Sequence, residues 1–275
     1  MLWENWGKLA EPGLAQGQAT ARLRLGLAVW NTLGLALALA GCQRSVAVPW
    51  QRAVLSPAAL ETIAYPPFLV DAAGAAIYRQ RGLAFRQQGN FEQAIATLKI
   101  AAALDPRHPE GQVLLGWTQH LAGNAIPAAT ALQTALTHSP DHVPALNALG
   151  IVYLVDGQLE AAVATHTRAV ELQPDNEIAH YNLSLAYQRL GRGEEAIAAA
   201  QTATELEPGN PHPWVALALA YWSAGNASQA TATYRQALGL DSRYTSRDYL
   251  DHLEQAGFSP DQIAATETIR QAVGR

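Results

Sequence analysis

Few side chains in this 275-residue chain sit in patterns that could do chemistry. The single thiol is Cys42, directly after Leu39, Ala40 and Gly41 at the end of an apolar run. A thiol there could carry a thioether-linked lipid, and the small residues before it would fit a peptidase. His138 and His142 stand four apart, a spacing at which two imidazoles on one helix can bind zinc. Ser139, Pro140 and Asp141 lie between them, so the two flank a turn and no metal is expected. Gly191-Arg192-Gly193 reads as an interhelix turn and not as a phosphate loop. Glu194-Glu195 and the pair Glu205 and Glu207 read as solvated faces. No nucleophile, acid–base pair or cofactor loop is assembled, so neither catalysis nor a cofactor is expected. Lysine occurs only at Lys8 and Lys99, and the net charge is −5, so no basic footprint for nucleic acid exists.

The elements around Cys42 explain its chemistry. Lys8, Arg22 and Arg24 precede the apolar stretch from Leu25 to Ala40, which Asn31 and Thr32 interrupt. A positive flank, a short apolar run and small residues make a secretory signal pattern. The run is shorter than the ~20 residues of a full membrane span. The sequence Leu39-Ala40-Gly41-Cys42 resembles a bacterial lipobox, which implies cleavage before Cys42 and lipid on its sulfur. Residues 1–41 then form a signal segment and 42–74 a lipidated tether. An uncleaved anchor helix is the other reading of the same stretch. Pro49, Pro57, Pro66 and Pro67 keep the tether mostly non-helical, with one short helix expected near Ser56–Ile63. With one cysteine in the whole chain, no internal disulfide can form.

From residue 75 the chain repeats with a period of 34 and no insertion. Glycine recurs at Gly89, Gly123, Gly157, Gly191 and Gly225. Alanine recurs at Ala94, Ala128, Ala162, Ala196 and Ala230, and again at Ala101, Ala135, Ala169, Ala203 and Ala237. Pro106, Pro140, Pro174 and Pro208 close four units, and Ser242 stands in the fifth. Each glycine lies between two apolar-periodic stretches, where φ > 0 can join two antiparallel helices. Gly82, Gly116, Gly150, Ser184 and Ala218 let first helices approach closely. These columns resemble the tetratricopeptide repeat, a helix–turn–helix unit of the same length. Gln119 departs from the usual aromatic residue of the first helix. The resemblance implies an all-α, right-handed superhelix of five repeats, 75–108, 109–142, 143–176, 177–210 and 211–244. Residues 245–275 leave the register and read as a helical cap. Thr245–Ala256 is one expected helix and Asp261–Val273 the next, with Ser259 as N-cap and Pro260 just inside. That last helix could instead dock in the protein's own groove.

The resemblance also implies a concave face lined by the first helices and holding a protein or peptide. The expected lining is Arg79, Leu83, Arg86 and Gln87; Val113, Trp117, His120 and Leu121; Asn147, Ile151, Leu154 and Val155; Tyr181, Leu185, Gln188 and Arg189; then Val215, Leu219, Trp222 and Ser223. Its middle is apolar, and exposed Trp and Tyr mark contact sites. Leu83 and Leu185 occupy places where a carboxylate-gripping member of the family needs polar groups. An amphipathic helix or extended apolar segment suits this face better. The expectation is a lipid-anchored adaptor on the exported side of a bacterial membrane, aiding a membrane or envelope complex. A photosynthetic-membrane assembly factor and a self-associating spacer that forms homo-oligomers stay open.

Overall fold

Two recurring signals cut residues 72–240 into helices: a polar residue or proline opens a stretch, and a glycine separates each pair. In a computed structural model, which describes residues 70–274, the first pair is α1 (Ala72–Gln87) and α2 (Phe91–Leu104). The second and third are α3 (Pro109–Leu121) with α4 (Ala125–His138) and α5 (Val143–Val155) with α6 (Leu159–Leu172). The fourth and fifth are α7 (Glu177–Arg189) with α8 (Gly193–Leu206) and α9 (Pro211–Ser223) with α10 (Ala227–Leu240). Two 3₁₀ segments, Ser242–Thr245 and Asp248–Ala256, lead to α11 (Pro260–Val273). The described residues contain no strand. The apolar stretch Leu25–Ala40, Cys42 and the helix expected at Ser56–Ile63 lie outside them.

One backbone device closes every hairpin. Gly89, Gly123, Gly157, Gly191 and Gly225 have φ between +72° and +81°. Around each, two bonds recapture carbonyls at the end of the first helix. Asn90 N–H donates to the Phe85 carbonyl at 2.9 Å, and Gly89 N–H donates to that of Arg86 at 2.9 Å. Asn124, Gln158, Arg192 and Asn226 repeat the longer-range bond at the same 2.9 Å. The opposite end of each unit is extended: Asp105, Ser139, Gln173 and Glu207 precede proline with φ from −130° to −140°. Asp241 takes φ −144° before Ser242, so the shape belongs to the unit and not to proline alone.

Packing follows the columns. Every residue of both alanine columns is fully buried. The small residues of the first helices lie directly over the second helices. A Cβ on Gly82 would come 2.6 Å from Leu98 Cγ, and one on Gly116 2.7 Å from Leu132 Cγ. Neighbouring first helices touch one another as well as their own partners, whereas second helices pack chiefly on the first helices that flank them. The first helices therefore line the inside of the stack. The cap differs from expectation in one element. Thr245–Ala256 is not a single α-helix; Ser246 sits in extended backbone between the two 3₁₀ segments. Tyr249 Oη donates to Asp241 Oδ2 at 3.0 Å, tying this tighter winding to the end of α10.

His166 is the exception in the core. It occupies the place that Leu98 and Leu132 hold in the first two units, against Gly150. It is fully buried, and neither ring nitrogen reaches a hydrogen-bond partner. Burial pushes its pKa down to about 3. Above the unfolded pKa of ~6.5 both states are neutral; below it the unfolded chain takes a proton that the folded chain refuses. Stability is thus expected to fall as pH drops from ~6.5 toward 3. His166→Leu should raise stability by about 1–2 kcal/mol at pH 7, by removing two unsatisfied polar atoms. It should also flatten the acid slope in urea unfolding, leaving the share of His212, which burial holds at about 4. An unchanged slope would mean that His166 is not buried neutral.

Candidate partner-binding groove

Residues four and then three apart share one face of a helix. In α7 these are Tyr181, Leu185 and Gln188, and all three meet the same object: the chain's own C-terminal segment. The Tyr181 hydroxyl donates to the Ala256 carbonyl at 2.6 Å. Burial raises the Tyr181 pKa well above 10, so the hydroxyl keeps its proton. Gln262 Nε2 donates to the Leu185 carbonyl at 3.2 Å and to Gln188 Oε1 at 2.7 Å. Gly257, at φ +87°, turns the chain between them. A Cβ there would lie 3.6 Å from Leu154 Cδ2 and 3.7 Å from both Asn182 Oδ1 and Leu185 Cδ1. Phe258 is buried, with its ring 6.3 Å from that of Tyr181. The segment thus crosses the inner face of the third and fourth units, and α11 packs on α9 and α10 of the fifth.

Leu154, Tyr181 and Leu185, residues expected on an open face, are buried where this segment lies. Asn147 is a brace. Its side chain exchanges two bonds with Asn176, at 3.0 and 3.3 Å, while Asn176 Oδ1 also accepts the Ala179 N–H at the start of α7. Arg189 Nη1 donates to the Leu154 carbonyl at 2.6 Å, binding the end of α5 to α7. The Asp261 charge attracts the same guanidinium. Leu219 and Val215 are fully buried in α9, Trp222 is half-buried, and Gln188 reaches Ser223 Oγ at 2.9 Å. Val155 is 53% exposed and Ile151 partly so, which leaves apolar surface beside the occupied stretch.

In the first two units Val113 and Trp117 are buried, and Leu83, His120 and Leu121 are partly exposed. The Trp117 and His120 rings lie 5.1 Å apart, and burial lowers the His120 pKa. Arg79 and Arg86 each hold one guanidinium nitrogen out of solvent and without a hydrogen-bond partner. Gln87 is exposed. His142, expected to flank a turn, caps α5: its Nδ1 accepts the Ala145 N–H at 3.2 Å, and its Nε2 meets Glu110 Oε1 at 3.2 Å. Asn182, and Gly257, Phe258 and Gln262 of the C-terminal segment, belong to this face although spacing does not assign them to the lining. The signal for them is the Gly257-Phe258-Ser259-Pro260 turn, a glycine–aromatic pair before a capped helix.

Family models described as tetratricopeptide repeat match residues 79–125 and 189–243, and one described as TPR repeat matches 155–191. Among solved structures, the crystal structure of MamA protein is 26% identical, covering 62% of this chain and 93% of that one, with a TM-score of 0.55. MamA from Desulfovibrio magneticus RS-1 is 25% identical over 63% of this chain and 98% of its own, with a TM-score of 0.57. TTC0263, a thermophilic TPR protein in Thermus thermophilus, is 26% identical over 62% of this chain and 92% of its own, with a TM-score of 0.51. No curated protein matches the chain.

Asn176→Ala removes a helix cap and strands the Asn147 amide, so it should cost about 2–3 kcal/mol in urea unfolding. Asn147→Ala strands the Asn176 Nδ2 but leaves the cap in place, and should cost less, about 1–2 kcal/mol. Equal small losses for the two would show that the pair does not brace the inner face.

Proposed function

Because this chain belongs to the tetratricopeptide repeat family, we propose that it is a lipid-anchored adaptor whose inner groove holds a protein segment and so assists a membrane or envelope complex. The observation that carries this reading is the occupied groove: Tyr181, Leu185 and Gln188 hold a length of polypeptide through its main chain and one amide side chain. Beside it, exposed Val155 and partly exposed Ile151 offer apolar surface to an amphipathic helix or extended segment. Tandem repeats of this family are protein-interaction scaffolds, and the chain performs no reaction of its own. The lipid is attached at Cys42, which follows Leu39, Ala40 and Gly41. Residues 43–74 act as the tether. An acidic body gains little from anionic lipid, so the anchor supplies the membrane contact. Gln43 is not the aspartate that retains many lipoproteins at the inner membrane, which favours an outer one.

Cys42→Ser should leave the full-length protein soluble or unprocessed in fractionated cells. Unchanged membrane association together with unchanged mass would remove lipidation from the account. Val155→Asp with Ile151→Asp, at positions exposed enough to spare the fold, should lower recovery of a partner from detergent-solubilised membranes at least tenfold. Equal recovery by wild type and variant would place partner binding elsewhere.

A further inference from the structure

In a stack of repeats each unit touches only its neighbours, and a terminal cap need cover only the last one. The C-terminal segment does more than that. Its turn at Gly257 lies against Leu154 of the third unit and against Asn182 and Leu185 of the fourth. It therefore reaches back along the inner face, where a bound peptide would lie.

The segment is built to keep its shape independently. Ser259 and Gln262 form a reciprocal capping box at the start of α11. Its short ion pairs, Arg247 with Asp251 at 2.6 Å and Arg270 with Glu267 at 2.6 Å, are internal, and one longer-range attraction, Asp261 to Arg189, crosses to α7. Across the seam to α7 the hydrogen bonds are neutral ones, from Tyr181 and Gln262. The approach to the groove is the nine-residue 3₁₀ segment Asp248–Ala256. Runs beyond three or four residues are uncommon in this winding, whose hydrogen bonds are poorly aligned, and 3₁₀ stretches often mark hinges. The fixed point before the hinge is Tyr244, fully buried, whose carbonyl accepts the Tyr234 hydroxyl at 2.9 Å.

We propose that residues 246–273 are a displaceable arm, a resident ligand that closes the groove of the last three repeats, and that the partner displacing it presents the same chemistry. That chemistry is a free main-chain carbonyl for Tyr181, a glycine with positive φ, an aromatic residue directly after it, and an amide donor for the Leu185 carbonyl. The Tyr181 hydroxyl reads backbone and its ring meets an aromatic side chain, so a segment from another protein with this glycine–aromatic turn fits the same place. Released, the groove exposes Leu154, Tyr181 and Leu185 together, an apolar surface that the resting chain keeps covered.

The inference deepens the adaptor reading and rests on it for the partner, but its test is independent of lipid or membrane. Hydrogen exchange on the full chain compares amides of α11 with those of α5 and α7. The arm should exchange at least 100-fold faster, opening while the repeats stay closed. In parallel, a fluorescent peptide of residues 246–273 is titrated against full-length wild type, Phe258→Ala, and Phe258→Ala with Leu185→Arg. Phe258→Ala should bind it at least tenfold more tightly than wild type, whose own arm competes, and the double variant should not bind. Equal protection of arm and repeats would overturn the proposal and make the segment a permanent cap. A fast-opening arm with no peptide binding to Phe258→Ala would overturn the recognition chemistry. If both results hold but no membrane partner depends on Ile151 and Val155, the arm stands and the adaptor reading falls.

Discussion

Each hairpin depends on one backbone constraint: a glycine held at φ between +72° and +81° at the turn. Residues with a β-carbon rarely adopt this conformation. Because the five glycines are 34 residues apart with nothing inserted, every unit enters its second helix in the same register. The alanine columns then meet at the buried seams, and Gly82 and Gly116 settle over Leu98 and Leu132. One residue added inside a helix would turn the rest of that helix by about 100° and carry its inner face into the stack. The groove exists because that never happens across five units.

A regular inner face brings a problem of its own. Residues spaced for one helix face include Leu154, Tyr181, Leu185 and Leu219, and such a surface left open would be an apolar patch. The molecule covers it with its own chain. Gly257 supplies the tight turn that lets Phe258 reach Tyr181, and Gln262 satisfies the Leu185 carbonyl while capping its own helix. The side chains expected to line a binding face are therefore the ones that seat the C-terminal segment. The first two units are organised differently, around Trp117 beside His120 and around two guanidinium groups with unsatisfied nitrogens.

Most of the fold is legible in the sequence because its determinants are local. Turn glycines, small-residue columns and closing prolines are visible as residue types at a fixed spacing. The start of α11 is equally visible in Ser259 and Pro260. The segment Thr245–Ala256 reads as one helix, where the structure has 3₁₀ winding broken at Ser246, because periods of 3.0 and 3.6 residues hardly separate over so short a run. What tightens it is non-periodic: the bonds from Tyr249 and Arg243 to Asp241. Spacing assigns Tyr181, Leu185 and Gln188 to one face. It cannot show what occupies that face, since the contacts join residues 74 to 77 apart. Asn182 is left out of the expected lining for the same reason, and Asn147 reads as lining although its partner Asn176 makes it a brace.

The inner face of the third and fourth repeats receives the chain's own C-terminal segment, and the proposed function turns on this contact. Nuclear Overhauser contacts in the full-length protein, with methyl-labelled leucine and labelled aromatic rings, measure it directly. The account predicts cross-peaks from the Phe258 ring to the Tyr181 ring and to Leu185 methyls, with a slowly exchanging Tyr181 hydroxyl. Absence of those cross-peaks, together with a Tyr181 hydroxyl exchanging freely with water, would contradict it.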